Sequence, residues 1–308
     1  MKTSWTIGPA LLALALASPQ VGTAGALHLF GKAKPAAAVA VSSAQADAVA
    51  SDVRQALDEK RLVDAANLLE QAEVNRINSP HLQALDGELL LDRGHFADAL
   101  SMFKKAGTEP SEQAEALQGQ GLALSMMGRS EEAFADLKQA TALDKTLWRA
   151  WNGLGREYDL RSDWKLSLAA YDQALVQTGA NTAIVLNNRG YSHLLQRQME
   201  PAKADFVAAI EKDPGMAAAR TNLRIAMAID GQYDRAASAG IGDDRAAVLN
   251  NVGLAAAIRG DYPEAEKLLN EAIQIKGSYY ERASDNLQLA KQLETHQADH
   301  PTPLNDNH

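Results

Sequence analysis

The sequence contains no cysteine. That absence excludes a disulfide scaffold, thiolate-ligated zinc, a cysteine nucleophile and a lipid-bearing cysteine behind an export signal. Aromatic residues are scarce, at 5% of 308 positions, and alanine dominates an apolar fraction of 46%. Sandwiches and barrels draw on β-branched and aromatic residues, so this balance points to closely packed helices. Positive charge is short as well: 30 Lys and Arg against 39 Asp and Glu leave a formal charge of −9. Such a chain has no general attraction for phosphate backbones, and no nucleic-acid partner is expected. Beyond the N-terminal stretch there is no long apolar run, so any association with a membrane is expected to be indirect.

What the N-terminus does contain is the pattern of an export signal. Lys2 precedes the apolar stretch "IGPALLALALA", which is shorter than the roughly 20 residues that span a bilayer and is interrupted by Gly8 and Pro9. Ala24 and Ala26 form a small-x-small cleavage site, with Ala15 and Ala17 an earlier alternative. Residues 1–26 are therefore expected to be a signal peptide, which in a bacterial cell places the protein in the periplasm. Residues 27–45 read as an alanine-rich linker.

The rest of the chain repeats. Ala65, Ala99, Ala133, Ser167, Ala202, Ala236 and Ala265 are spaced by 34, 34, 34, 35, 34 and 29 residues. Ala72, Ala106, Ala140, Ala174 and Ala209 keep the same step, and Gly87, Gly121, Gly155, Gly190 and Gly253 follow the same register. Large residues recur in phase at Leu69, Phe103, Leu137, Tyr171, Phe206 and Leu269, and a turn is marked by Gly94, Gly128, Gly231 and Gly260. Trp151, Leu154, Gly155 and Tyr158 fall at i, i+3, i+4 and i+7, one face of a helix, and Trp164, Ser167, Tyr171 and Ala174 do the same. Each unit is thus expected to be an antiparallel helix hairpin. A glycine inside a helix costs about 1 kcal/mol relative to alanine. Its place in five of the hairpins is expected to let the first helix approach the alanine of the second, gaining dispersion contacts that offset the propensity loss.

In its order of W–L–G–Y followed by aromatic–small–aromatic–Ala, with Pro214 closing the fifth unit, the pattern resembles the tetratricopeptide repeat, or TPR. The resemblance implies an all-α fold: a right-handed α-solenoid of about seven TPR helix hairpins plus a C-terminal capping helix. Units start near residues 46, 80, 114, 148, 183, 217 and 246, the solenoid spans 46–294, and the cap covers 279–294. The polar, Pro-broken residues 295–308 are expected to be a disordered tail. The sixth unit departs from the pattern: Arg224 replaces the glycine and the second helix shrinks into "ASAGIGDD", which predicts a bend or notch near 238–244.

No reaction centre is expected. "GQG" at 119–121 and "GIG" at 240–242 lack the strand and the Lys-Ser of a phosphate cradle, and no nucleophile elbow occurs. Neither catalytic residues, a cofactor nor a metal site is expected. His296 and His300 lack an organised third ligand, and His81, His95 and His193 are scattered over different units and read as surface or packing residues.

The TPR resemblance also implies a groove lined by the first helix of each unit. Carrying the ligand-facing positions over gives Arg149, Asn152, Arg156 and Asp159, then Asn187 and Tyr191, then Asn250. Asn188, Asn222 and Asn251 recur one position further on. A row of asparagine amides can hold an extended peptide backbone, and it can equally satisfy neighbouring backbone within the repeat. Arg149 and Arg156, with Trp148 nearby, suit a carboxylate or an acidic segment. The family's clamp for acidic C-terminal tails uses lysines where this chain has Asn152, Asn187 and Thr221, so that clamp is absent.

The partners expected are therefore proteins or peptides. The signal, the run of repeats and the stretch "LNNVGLAAAIRGDYPEAEKLLNEAI" followed by "YYERASDNLQLAKQL" look like the TPR proteins of tight-adherence (Tad/Flp) pilus assembly. That resemblance implies an exported scaffold whose partners are pilus or secretion assembly components. Two further readings stay open: an adaptor of other envelope or polysaccharide-export machinery, and a small-ligand binder using the notch near 240.

Overall fold

The computed structural model describes residues 43–177, 179, 181–238, 244–276 and 280–299. The expected signal peptide, most of the linker and residues 300–308 lie outside the described residues, as do 239–243 of the expected notch. Fifteen α-helices and no strand occur among the described residues, in two compact units that divide after residue 180.

The N-terminal unit comprises α1 (Ser43–Asp58), α2 (Leu62–Val74), α3 (Pro80–Asp92), α4 (Phe96–Ala106), α5 (Gln113–Met126), α6 (Ser130–Leu143), α7 (Trp148–Leu160) and α8 (Trp164–Leu175). The odd-numbered helices pair with their successors as hairpins, and α1, α3, α5 and α7 also pack on one another in sequence. The C-terminal unit comprises α9 (Thr182–Leu195), α10 (Met199–Lys212), α11 (Ala217–Ile229), α12 (Tyr233–Ala237), α13 (Arg245–Arg259), α14 (Tyr262–Lys276) and α15 (Glu281–Asp299). There α9, α11, α13 and α15 play the part of first helices, each packed on the next. Each unit is a solenoid of helix hairpins.

Sequence chemistry sets the helix ends. Ser79 accepts from the Leu82 amide at 3.1 Å ahead of Pro80, and Asp244 caps α13 through the amides of Ala246 and Ala247. The turn inside each hairpin passes through one left-handed residue, at 60, 94, 128, 162, 197, 231 and 260. Four of these are glycines, which adopt that conformation without penalty; Lys60, Ser162 and Arg197 adopt it at φ of 57° to 58°.

The core is built from the periodic small residues. Ala65, Ala99, Ala133, Ser167, Ala202, Ala236 and Ala265 are all fully buried. The helical glycines, however, do not face alanines as the sequence suggested. A β-carbon on Gly87 would stand 2.9 Å from the Phe103 ring, on Gly121 2.6 Å from Leu137, on Gly155 2.6 Å from Tyr171, on Gly190 2.8 Å from Phe206 and on Gly253 2.7 Å from Leu269. In all five the partner lies 16 residues further on. The glycine makes a hollow that receives the large side chain of the second helix, because a helix backbone without a β-carbon offers the only surface that such a side chain can approach this closely. Phe103 and Leu137 are enclosed from the other side as well, by Gly119 and Gly153 of the following first helix.

The C-terminal unit holds one expected shortening and one difference. The second helix of the sixth hairpin, α12, is a single five-residue turn. The last helix does not stop at 294, where the polar tail was expected to begin, but runs to Asp299. Part of the reason is a tether: the Tyr262 hydroxyl donates to Gln297 Oε1 at 2.7 Å, joining the extension to α14.

Gly155→Ala tests the hollow. On an open helix face the change would raise stability by about 1 kcal/mol through propensity. Against the Tyr171 ring it is expected to lower stability by about 1–3 kcal/mol through overpacking, read as a lower urea midpoint. A raised midpoint would contradict the packing.

Candidate functional site

In the N-terminal unit the first helices bring charged side chains from four consecutive hairpins together. Arg54 on α1 donates to both oxygens of Glu88 on α3, at 2.7 and 3.0 Å. Arg149 on α7 donates to the same carboxylate at 3.3 Å, across 61 residues of sequence. Burial of Glu88 opposes ionisation, but the hydrogen bond from Arg54 and the charges of Arg149 and Arg54 prevail and hold its carboxyl below the usual range. The trio therefore supports folding at neutral pH and loses that contribution as the pH falls through the lowered pKa. Arg149 also lies over the Trp148 ring, 5.8 Å from its centroid.

Beside the trio stand His81 of α3 and two glutamates at the start of α5. His81 Nδ1 is 3.3 Å from Glu112 Oε2. Glu115 is exposed, yet enough protein surrounds it for desolvation to push its carboxyl up; Arg54 opposes the shift, and Glu88 and Glu112 reinforce it.

Of the ten residues that sequence reasoning placed in the groove, Arg149 belongs to this network and Arg156 is half-buried nearby on α7. The others are placed differently. Asp159 accepts hydrogen bonds from Ser167 at 2.5 Å and from the Tyr171 hydroxyl at 2.9 Å. Across the repeats its position holds Leu91, Ser125, Leu194 and Ala257, while Ser167 stands in the alanine row and Tyr171 in the row of Phe103 and Phe206. The fourth hairpin thus carries three polar departures that satisfy one another, and Asp159 serves the hairpin interior.

The asparagines also differ from the expected open row. Asn152, Asn187, Asn222 and Asn250 are buried. In the C-terminal unit Asn222 donates to Asn187 at 3.0 Å and Asn286 donates to Asn250 at 2.9 Å, each bond joining one first helix to the next. Asn187 and Asn250 in turn donate to their neighbours Asn188 and Asn251, at 3.4 and 3.2 Å. Amides buried in pairs satisfy each other and fix the register of stacked helices. Tyr191 packs against the cluster around Phe206 and Leu194. The unit of asparagine rungs is therefore an internal seam.

The residues missed from sequence were Arg54, His81, Glu88, Glu112 and Glu115. A signal for four of them existed in two rows of the repeat: Asp47, His81, Glu115 and Arg149 are each 34 apart, as are Arg54, Glu88, Leu122 and Arg156. Among the described residues no helix is long and apolar enough to cross a membrane.

Hairpins of a 34-residue period whose first helices stack on one another define a helix-hairpin repeat protein. Residues 245–277 match the family model described as tetratricopeptide repeat, and the chain has the fold of TPR proteins. Among solved structures the chain is similar to a tetratricopeptide repeat protein from Parabacteroides merdae, at 14% identity and a TM-score of 0.51, covering 81% of this chain and 100% of that one. It is also similar to Pseudomonas aeruginosa PilF, at 17% identity and a TM-score of 0.52, covering 69% and 96%. PilW, described as a widely conserved type IV pilus biogenesis factor, gives 17% identity, a TM-score of 0.54 and coverage of 69% and 98%. At these identities the likeness shows the fold alone. No curated protein matches the sequence.

Replacing Asp159 by Leu removes the acceptor that the Ser167 and Tyr171 hydroxyls share and is expected to cost about 1–3 kcal/mol. The triple variant D159L/S167A/Y171F removes donors and acceptor together and is expected to recover most of that loss in chemical denaturation. A single variant as stable as wild type would contradict the assignment.

Proposed function

We propose that the protein is a non-catalytic TPR adaptor that binds a protein partner through the first-helix face of its N-terminal unit. One observation carries the reading: Arg54, Glu88, Glu115 and Arg149, from four consecutive first helices, present their charges on one face. A surface of this kind recognises an extended or helical segment by matching charges along its length, and it offers electrostatic specificity more than raw affinity. Arg149 and the half-buried Arg156 supply the cationic end of that surface for a partner's carboxylates.

The cellular setting belongs to the same proposal. The signal-like N-terminus supports export to the periplasm. The resemblance of the repeats to those of Tad/Flp pilus assembly, together with a fold shared with proteins named for type IV pili, supports a role in assembling a pilus or secretion system.

Two experiments test this. Charge reversal at Arg149 and Arg156 is expected to abolish cross-linked capture of the partner from native envelopes while leaving helical content unchanged; undiminished capture would refute the surface. Protein purified from native periplasm is expected to begin after Ala17 or Ala26, and an unprocessed cytoplasmic product would refute export.

A further inference from the structure

Outside the Arg54–Glu88–Arg149 trio, His81, Glu112 and Glu115 each direct one ligand atom into a common space, all within 4.8 Å of one another. They come from two helices, α3 and the start of α5, and from positions 31 and 34 residues apart. Four observations define the chemistry of that space. First, the imidazole–carboxylate separation is 3.3 Å. Two ligands on a tetrahedral ion at about 2.0–2.2 Å stand roughly 3.4 Å apart, so the pair already has the spacing of one edge of a zinc-type site. Second, Glu115 forms no hydrogen bond or ion pair among the described residues, and the side chain of Glu112 is bonded only to His81. Third, Arg54 and Arg149 hydrogen-bond to Glu88 and to neither of these carboxylates. Fourth, the His81 side chain is 40% exposed, so an ion can enter from solvent. The N-terminus of α5 favours acidic residues at its first turn. That effect explains the two glutamates and leaves the imidazole between them unexplained.

We propose that His81, Glu112 and Glu115 form a binding site for a first-row divalent cation of the zinc type. One nitrogen and two carboxylate oxygens are a donor set that suits this class, and three protein ligands leave a fourth position for water or for a ligand from a partner. A bound ion would supply the positive charge that the two carboxylates lack and would link α3 to α5, joining the second and third hairpins.

The test uses the full chain, stripped with chelator, and zinc chloride followed by calorimetry. Saturable binding at one ion per chain is expected, weakened about tenfold or more by His81→Ala and by Glu115→Gln. Cobalt(II) added in place of zinc is expected to give the visible absorption of a tetrahedral site, lost in His81→Ala. The variant H296A/H300A, which removes the other closely spaced histidines, is expected to bind as wild type does. Circular dichroism of each variant checks that it folds. No saturable binding by wild type, binding unchanged in His81→Ala, or binding lost with His296 and His300 would each overturn the site.

Discussion

Five of the seven hairpins depend on one contact, a large side chain of the second helix set into a first helix that has no β-carbon beneath it. Glycine is a poor helix residue, and a phenylalanine or tyrosine ring cannot lie flat on a helix of ordinary residues. Together they give a helix pair close enough for the alanine rows on either side to be fully buried. The offset of 16 residues between the two follows from the hairpin's geometry, since in all five the left-handed turn residue lies 7 positions after the glycine and 9 before the large side chain. The sixth unit shows the dependence from the other direction. Arg224 occupies the glycine position, and the residue 16 further on lies beyond the end of α12 at Ala237. With no large side chain to receive, the hollow has no purpose and a long side chain takes its place.

Polar residues in the interior obey the same logic of paired departures. Tyr171 adds a hydroxyl to the aromatic position, Ser167 adds another to the alanine position, and Asp159 accepts from both. Glu157, fully buried, accepts from Ser125 and Ser130, and Arg161 lies against it at 3.3 Å. No buried side-chain nitrogen or oxygen among the described residues lacks a partner. An unpaired group in such a place costs about 1–3 kcal/mol, so each polar residue can persist only with its complement. The asparagine rungs add directionality: an amide pair bonds at one register only, whereas alanine faces can slide. In the N-terminal unit Gly119 and Gly153 stand in the row of Asn188, Asn222 and Asn251, and there the adjacent helices are held by packing on Phe103 and Leu137 instead.

The fold was legible because periodicity survives in a single sequence. Thirty-four-residue rows of Ala, Gly and large side chains fix the period, the hairpin and the all-α class without reference to long-range contacts. What the rows could not give was which member of one row meets which member of another; glycine against alanine and glycine against a ring repeat with the same period along the chain. The site was legible in part. Arg149 stood out beside Trp148, but its partner Glu88 is two hairpins away and in a different row, and only reading the two rows side by side would have put them together. The asparagines misled for a chemical reason. An amide able to hold a ligand's backbone is equally able to hold another amide, and burial decides between the two roles.

A charged surface that already neutralises itself sets terms for any partner. Glu88 is satisfied by two arginines, so an incoming carboxylate must compete with Glu88 for Arg149 and replace a hydrogen bond of 3.3 Å with a better one. Arg54, bound through both nitrogens, is the harder to displace and keeps Glu88 anchored when Arg149 turns away. Exchange of this kind yields little net energy and discriminates strongly, because a partner lacking the acid must strip the pair and gain nothing. His81, Glu112 and Glu115 have the opposite balance. Their carboxylates hold no cation, so what they recruit is positive charge gained outright instead of charge exchanged. The first-helix face thus has two chemically distinct ends on one set of rows, and a ligand bridging both would have to carry an acid toward Arg149 and a cation toward Glu115.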